Sequence, residues 1–359
     1  MLITDLDPTS RRIVGLVLRN GPISRVGISR ATGLSSGSLT RLTAPLIAAG
    51  ILVEGDPEKT EVGRPQRPLQ VADAAGLFAG VKIIEGELHA VLTGLAGQIH
   101  ATAIRAVDTT QPEATVDAIV ELVRQVATGA ELTAVGVTLG AAVDPAGSIR
   151  SANLLGWGEV DLTSLLTQGI GLPCFAANDV GALALAEHWF GHGRGADDFA
   201  VVTIGAGIGA GAVVADELLV GHQGTAALLG AAWARDGRPF CEVLSTDALL
   251  RAGSEAAGRP LTPAELPTEP AAATVLDSAA GTLGELVALA TLAWGPERIL
   301  LTGDGIGVLA GRLELVREAT AGRLVPDLPQ PELVLQELDF LAWAQGAAAM
   351  AIQRCLTAG

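Results

Sequence analysis

Long hydrophobic runs, paired cysteines and a surplus of positive charge are all missing from this 359-residue chain, and each absence removes a class of protein. The longest apolar runs, such as Ala226–Ala234, fall well short of the roughly 20 residues needed to span a bilayer. The chain opens on Asp5, Asp7, Arg11 and Arg12 rather than on a basic end followed by an apolar stretch. No secretory signal is read there, and a cytoplasmic location is expected. The three cysteines, Cys174, Cys241 and Cys355, are odd in number and widely spaced, which predicts neither a disulfide framework nor a paired metal motif. They read as small buried hydrophobes. Charged residues, at 17%, are too few for a disordered chain, and 49% hydrophobic residues suffice for a sizeable core. Two or three compact units are expected, because domains usually hold about 100–200 residues.

A net charge of −16 argues against nucleic acid until the chain is divided. Residues 1–70 hold nine Lys/Arg and six Asp/Glu, a balance of +3, and the remainder carries −19. A mildly basic head on an acidic body permits one end to dock on DNA while the other is repelled.

The head has the matching pattern. Residues 9–20 read as an amphipathic helix with Ile13, Leu16 and Val17 on its apolar side, ended by Gly21-Pro22. Ser24 caps a second helix, whose Val26, Ile28 and Ala31 are expected to face inward. Thr32-Gly33-Leu34-Ser35 makes a tight turn, and Ser35 or Ser36 caps a third helix with Leu39, Leu42, Leu46 and Ile47 as its stripe. Helix, short glycine-containing turn and helix form a helix-turn-helix, whose second helix enters the major groove. Pro45 predicts a break or kink near Thr43. Ile51–Val53 and Pro68–Val71, joined through a polar turn, read as a two-stranded wing.

Candidate DNA contacts follow from this placement. Ser35, Ser36, Ser38 and Thr40 offer short hydroxyls for phosphate contact, and Arg41 for guanine or phosphate. Arg25 and Arg30 point to the backbone, and Arg64 and Arg67 of the Pro-rich wing to a narrow minor groove or to phosphates.

From about residue 76, apolar strand-like runs (Ala79–Ile84, Ala134–Leu139, Ala200–Ile204, Arg298–Thr302) alternate with helical segments (Pro112–Thr128, Val180–Phe190, Thr282–Ala293). Alternation of this kind predicts an α/β body. Pro260–Pro270 reads as a surface loop and Phe340–Leu356 as a final helix. The expected domains are a winged helix-turn-helix over 1–71, a first lobe over 76–180 joined by the returning helix 340–357, and a second lobe over 181–339.

Five motifs in order resemble the ROK family (repressors, open reading frames, kinases). They are Thr32-Gly33-Leu34-Ser35 with Gly63-Arg64-Pro65, Asn153-Leu154-Leu155-Gly156-Trp157, Asn178-Asp179 leading into a helix ending at Glu187, the cluster Gly205 to Gly211, and Leu301-Thr302-Gly303-Asp304-Gly305. The resemblance covers almost the whole chain. It implies a two-lobed actin-like (ribonuclease-H-like) ATPase-fold body behind the winged head, assembled as a homodimer or homotetramer on a palindromic operator.

It also implies which residues would serve a sugar kinase, and the chain departs from that set. Where the kinases resemble G-V-D-I-G-G-T-K, this sequence reads Gly80-Val81-Lys82-Ile83-Ile84-Glu85-Gly86-Glu87. Lys82 stands at the metal-binding acidic position, Ile84 and Glu85 replace paired glycines, and Glu85 and Glu87 repel phosphate. Asp179 matches the catalytic base and Asn178 its sugar-contacting neighbour, although Asn-Asp before a helix also serves as a cap. Asp179 is read as inactive. Asn153, Asn178, Asp179, Gly205 and Gly207 remain candidate ligand contacts, with Gly205 and Gly207 open to a purely structural role in a tight turn. Where the family resembles G-A-A-G-E-I-G-H, the chain has Gly224-Thr225-Ala226-Ala227-Leu228-Leu229-Gly230-Ala231, so Leu228 and Ala231 replace a sugar-gripping Glu and a His. The family's cysteine-rich zinc loop is reduced to Gly237-Arg238-Pro239-Phe240-Cys241-Glu242, and neither one thiol nor the nearby His222 builds a four-ligand zinc site. No metal, cofactor or enzymatic activity is expected. The alternatives left open are an active sugar kinase and a DNA-binding scaffold without a ligand.

Overall fold

The structure is a computed structural model that describes residues 3–57 and 66–357. Contacts divide it into two units, one of residues 1–195 with 340–359 and one of residues 196–339.

The first unit begins with the head. Helix α1 (Pro8–Asn20) is capped by Asp7, whose carboxylate accepts from the backbone of Thr9 and Ser10. Helix α2 (Arg25–Thr32) is capped by Ser24 and stopped by Gly33 in the left-handed region. Helix α3 (Ser36–Ala48) is capped by the Ser35 hydroxyl, which accepts from the Ser38 amide. Each cap is one the short polar residues supply by accepting an otherwise unsatisfied helical N–H. Two expectations need correction. Val26 is 53% exposed and Ala31 is exposed, so Ile28 alone anchors α2 in the head's small core. Pro45 does not break α3, which runs on to Ala48. The carbonyl of Arg41 that loses its partner lies on an exposed face where water serves it, and Thr43 Oγ1 donates back to the Leu39 carbonyl at 2.8 Å. Strands β1 (Leu52–Glu54) and β2 (Leu69–Val71) pair antiparallel as the base of the wing. Gly63, Arg64 and Pro65 lie outside the described residues.

The body's first sheet is built from β3 (Leu77–Ile84), β4 (Glu87–Gly94), β5 (Ile99–Ala106), helix α4 (Pro112–Ala127) and β6 (Ala134–Leu139). There follow a two-stranded ribbon of β7 (Ser148–Ile149) and β8 (Val160–Asp161), then α5 (Leu162–Ile170), β9 (Cys174–Asn178) and α6 (Asp179–Phe190). Strand order is β5-β4-β3-β6-β9, with β3, β4 and β5 antiparallel and β3, β6 and β9 parallel.

The second unit repeats that plan. It holds β10 (Phe199–Ile204), β11 (Ile208–Val214), β12 (Glu217–Leu218), α7 (Phe240–Leu244), α8 (Thr246–Ala257), α9 (Ala273–Trp294), β13 (Arg298–Thr302), α10 (Leu313–Ala321) and β14 (Glu332–Leu335). Its order is β12-β11-β10-β13-β14, again two antiparallel steps followed by two parallel ones. Two sheets of one topology are the actin-like duplication. Helix α9 begins nine residues before the expected Thr282, and by length and composition it is apolar enough to cross a membrane. Its Leu276, Leu283, Leu286 and Val287 are instead fully buried in this unit's core.

The chain returns to the first unit as α11 (Phe340–Thr357). Side chains alternate across a strand, so each face of the first sheet has its own partner. Val81, Ile83, Val135 and Val137 join the core with Ile119 and Leu122 of α4 and Leu162 of α5. Gly80 and Gly136 face α11: a Cβ on either would lie about 2 Å from the carbonyls of Ala344 and Ala347 respectively, so only glycine lets that helix settle. Gly346 of α11 in turn lets the α6 backbone at Ala182 approach. This close packing places all of α6 with the first unit, and the division falls after Gly195 rather than at the expected 180.

Candidate functional site

Helix α3 presents its DNA-facing candidates to solvent. Ser35, Ser36, Thr40 and Arg41 are exposed, and Ser38 is half-buried beside its hydrogen bond with Ser35. Arg30 and Arg67 are exposed as well. Arg25 pairs with Glu54 of β1 at 2.7 Å, an ion pair between α2 and the wing base. The head is seated on the body through α1, which touches α11 and α6. At the junction of α1 and α2, Gly21 has φ of 70°, and a Cβ there would fall 1.9 Å from the Arg194 guanidinium. Arg194 belongs to the turn after α6, where Glu187 accepts from the backbone N of His192 at 2.9 Å and contacts its Nδ1 at 2.7 Å. The motif residue Glu187 thus ties down the end of its own helix.

The body's most unusual chemistry lies at the start of α6. Lys82, one of only two lysines in the chain, sits in the middle of β3 and is 4% exposed. Its Nζ donates to Asp179 Oδ2, and Asp179 is 6% exposed. The ammonium also stands 5.2 Å from the centroid of the Trp343 ring on α11, a cation–π arrangement. Asp179 Oδ1 accepts from the Val180 backbone at 2.8 Å and from Asn178 Nδ2 at 3.3 Å. Asn178 caps α6, accepting from Gly181 N at 2.9 Å while its amide donates to the Ala141 carbonyl at 3.1 Å. Asn178 and Asp179 are therefore brought together with Lys82. Asn153 lies exposed in the short 3-10 turn Asn153–Leu155. Trp157 of the same motif is buried, its Nε1 donating to the Thr109 carbonyl at 2.7 Å, which makes the motif's indole a structural anchor.

Sequence reasoning found Asp179 and Lys82 separately and missed their pairing, along with Trp343. A signal was present: a lysine flanked by Val81 and Ile83 in an apolar strand has to find a carboxylate, because burying a lone charge is prohibitive.

At the phosphate-binding position of the kinases, Ile84 and Glu87 close a tight hairpin through Glu85 and Gly86, the latter at φ 75°. Glu87 meets His89 Nε2 at 2.6 Å. In the second unit, Gly205 and Gly207 form the turn between β10 and β11. Gly205 has a packing reason to be glycine, since its Cβ would lie 2.2 Å from the Asp304 carboxylate. Gly207 faces open space and has none. Leu228, Ala231 and His222 are exposed and Cys241 is half-buried. Among the described residues no three His, Cys, Asp or Glu side chains gather into a metal-binding group.

Comparison with known proteins agrees with this anatomy. Residues 78–354 match the ROK family, and residues 6–53 match a winged helix-turn-helix DNA-binding family. The xylose repressor of Bacillus subtilis is 26% identical over 60% of this chain, an alignment spanning 57% of the repressor. The crystal structure of a ROK family transcriptional regulator, a homolog of the E. coli MLC protein, superposes with a TM-score of 0.76 at 24% identity, covering 97% of this chain and 96% of that one. A ROK family glucokinase from Streptomyces griseus, solved with glucose and AMPPNP, gives 0.67 at 25% identity, covering 77% of this chain and all of the kinase. The kinase matches the shorter share of the chain and the regulator nearly all of it, and the chain belongs to the ROK family.

Proposed function

We propose that the protein is a DNA-binding transcriptional regulator, a repressor of genes for carbohydrate or related metabolism, whose sugar-kinase-like body has no kinase activity. The observation that carries this reading is the exposed, Ser35-capped α3 with Ser36, Thr40 and Arg41 outward beside a two-stranded wing. A helix so presented fits the major groove, with hydroxyls and arginine in reach of phosphates and base edges. A homodimer would place two such helices on a palindrome, and a protein that reads double-stranded DNA works in the compartment that holds it. The repressor and regulator among its relatives support a sugar-like effector bound in the body.

Retention of Asp179 at the head of α6 favours the kinase reading, but the residue that meets it does not. A general base must accept a proton from a bound hydroxyl, and here Asp179 Oδ2 is engaged by Lys82. Replacing Lys82 by Asp alone is expected to give no ATP-dependent phosphorylation of hexoses or amino sugars, because the Glu85–Gly86 hairpin and Leu228 remain. Turnover in that variant, followed by ADP release, would revive the kinase reading.

The regulator reading is tested by selecting genomic fragments with the purified protein at two salt concentrations. A few enriched sites sharing a palindrome, recovered best at low salt, are expected. Binding without sequence preference would reduce the head to a non-specific clamp.

A further inference from the structure

We propose that two copies of this chain meet through the second unit, on a face built from the end of α9 and residues 324–331, with Trp233 of each copy entering a groove on the other. The inference rests on the regulator reading for why two copies are needed, since a palindrome is read by two heads and each chain carries one.

The face begins with α9. This helix is apolar on all sides, and half of its apolar stretch is buried. A helix apolar all round is one covered all round, yet Leu289 is 38% exposed and Leu292, one turn on, is 57% exposed. No charged residue stands between Glu285 and Glu297. The segment after α10 leaves Val325 and Leu328 similarly exposed, at 55% and 54%. Leu292, Leu324 and Leu328 line a groove of about 350 Å³ together with Gly295 and Pro296 at the end of the helix.

Glu285, one turn before Leu289, joins this face to the turn that carries Trp233. Its carboxylate accepts from the Arg235 backbone at 3.0 Å and pairs with Arg323, so its charge is met within the unit. Trp233 is 70% exposed, the largest value among the big apolar side chains described. From Glu285 to Leu292 the helix rises only about 10 Å, which sets the indole and the groove on one face.

Charge and shape together select the occupant. Beyond residue 70 the chain carries −19, and an acidic body approaches its own copy most favourably where acids are missing. Residues 286–296 hold no charge and residues 324–331 hold Asp327 alone. A basic partner is drawn instead to the acidic remainder. An indole that projects beside an apolar groove is self-complementary, because in a two-fold pair each copy's knob meets the other's groove. Trp233, Leu289, Leu292, Val325 and Leu328 expose on the order of 500 Å² of apolar surface, the scale at which a patch marks an interaction site. Inside a polar rim, such a core suits the roughly 800 Å² per partner that a stable dimer buries.

The test is sedimentation velocity of the full-length protein over a wide concentration range, with Trp233→Ala, Leu292→Glu and Ile104→Glu as variants. All three positions are exposed, and circular dichroism with thermal unfolding checks that each variant folds. The wild type is expected to be a dimer, Trp233→Ala to weaken it at least about tenfold, and Leu292→Glu to be monomeric. Ile104→Glu, on the equally exposed strand β5 of the first unit, should leave the dimer intact. A wild type that stays monomeric overturns the proposal, as does a dimer unmoved by Trp233→Ala or by Leu292→Glu. Dissociation by Ile104→Glu overturns it equally and moves the interface to β5. DNA binding by the same samples is scored separately. Leu292→Glu should bind a single half-site like the wild type and lose the added affinity for the full palindrome. Failure of the wild type to bind any sequence selectively speaks against the regulator reading, while the dimer is judged by sedimentation alone.

Discussion

Lys82 and Asp179 each make sense only in the presence of the other. Removing one partner of a buried ion pair leaves the second charge uncompensated, and such losses run to about 3–5 kcal/mol. Lys82→Met is therefore expected to destabilise the protein by that order, and the double variant with Asp179→Asn to recover most of it; urea unfolding of the three proteins decides. The thiols give a second residue-scale expectation. Burial pushes Cys174 and Cys355 each up to about 11, from an ordinary value near 9. Raised thiol values mean that folding favours the protonated form, so this contribution is complete below pH 9 and is lost as pH climbs through 9 to 11. A thiol titration with Ellman's reagent at pH 8 should find Cys241, which is half-buried, first, with Cys174 and Cys355 reacting only on unfolding.

At the level of elements, α3 presents the DNA-facing candidates and α6 begins at the Lys82–Asp179 pair. Helix α3 contains a proline its fold tolerates rather than needs, for Pro45 is exposed and deletes one hydrogen bond. Pro45→Ala is expected to raise the melting temperature, by up to about 3 kcal/mol of stability. A fall would mean that the proline preorganises the end of the reading helix. Helix α6 runs from the Lys82–Asp179 pair to the turn that holds Arg194 against Gly21 at the base of the head. The elements themselves were largely legible: the caps Ser24 and Ser35 and the stop at Gly33 are local hydrogen-bonding chemistry, written where it acts. The inward side of α2 was not, because eight residues with one buried anchor carry too little periodicity to separate Val26 from Ile28.

Across the whole molecule, a head of +3 on a body of −19 sets how DNA is met. Each phosphate neutralised contributes about 0.9 to the slope of log affinity against log salt. Arg64→Ala together with Arg67→Ala should lower that slope by nearly two units if both wing arginines lie on phosphates, measured by fluorescence anisotropy over a salt series. An unchanged slope removes them from the interface.

The sequence by itself determined the winged head, the α/β body, the order of the motifs and the degenerate kinase set, because capping, periodicity and glycine turns depend on neighbours along the chain. It left Gly205 open between a ligand contact and a tight turn, and packing against Asp304 gives a structural reason for glycine there. It marked Lys82 as a lost metal ligand, and only the register of β3 beside β6 and β9 brought the ammonium to Asp179, 97 residues away. Glycines at 80 and 136 admitted α11 and, with it, Trp343 against the same charge. A buried charge finds its partner through tertiary contact, and no local pattern in the chain names which residue that will be.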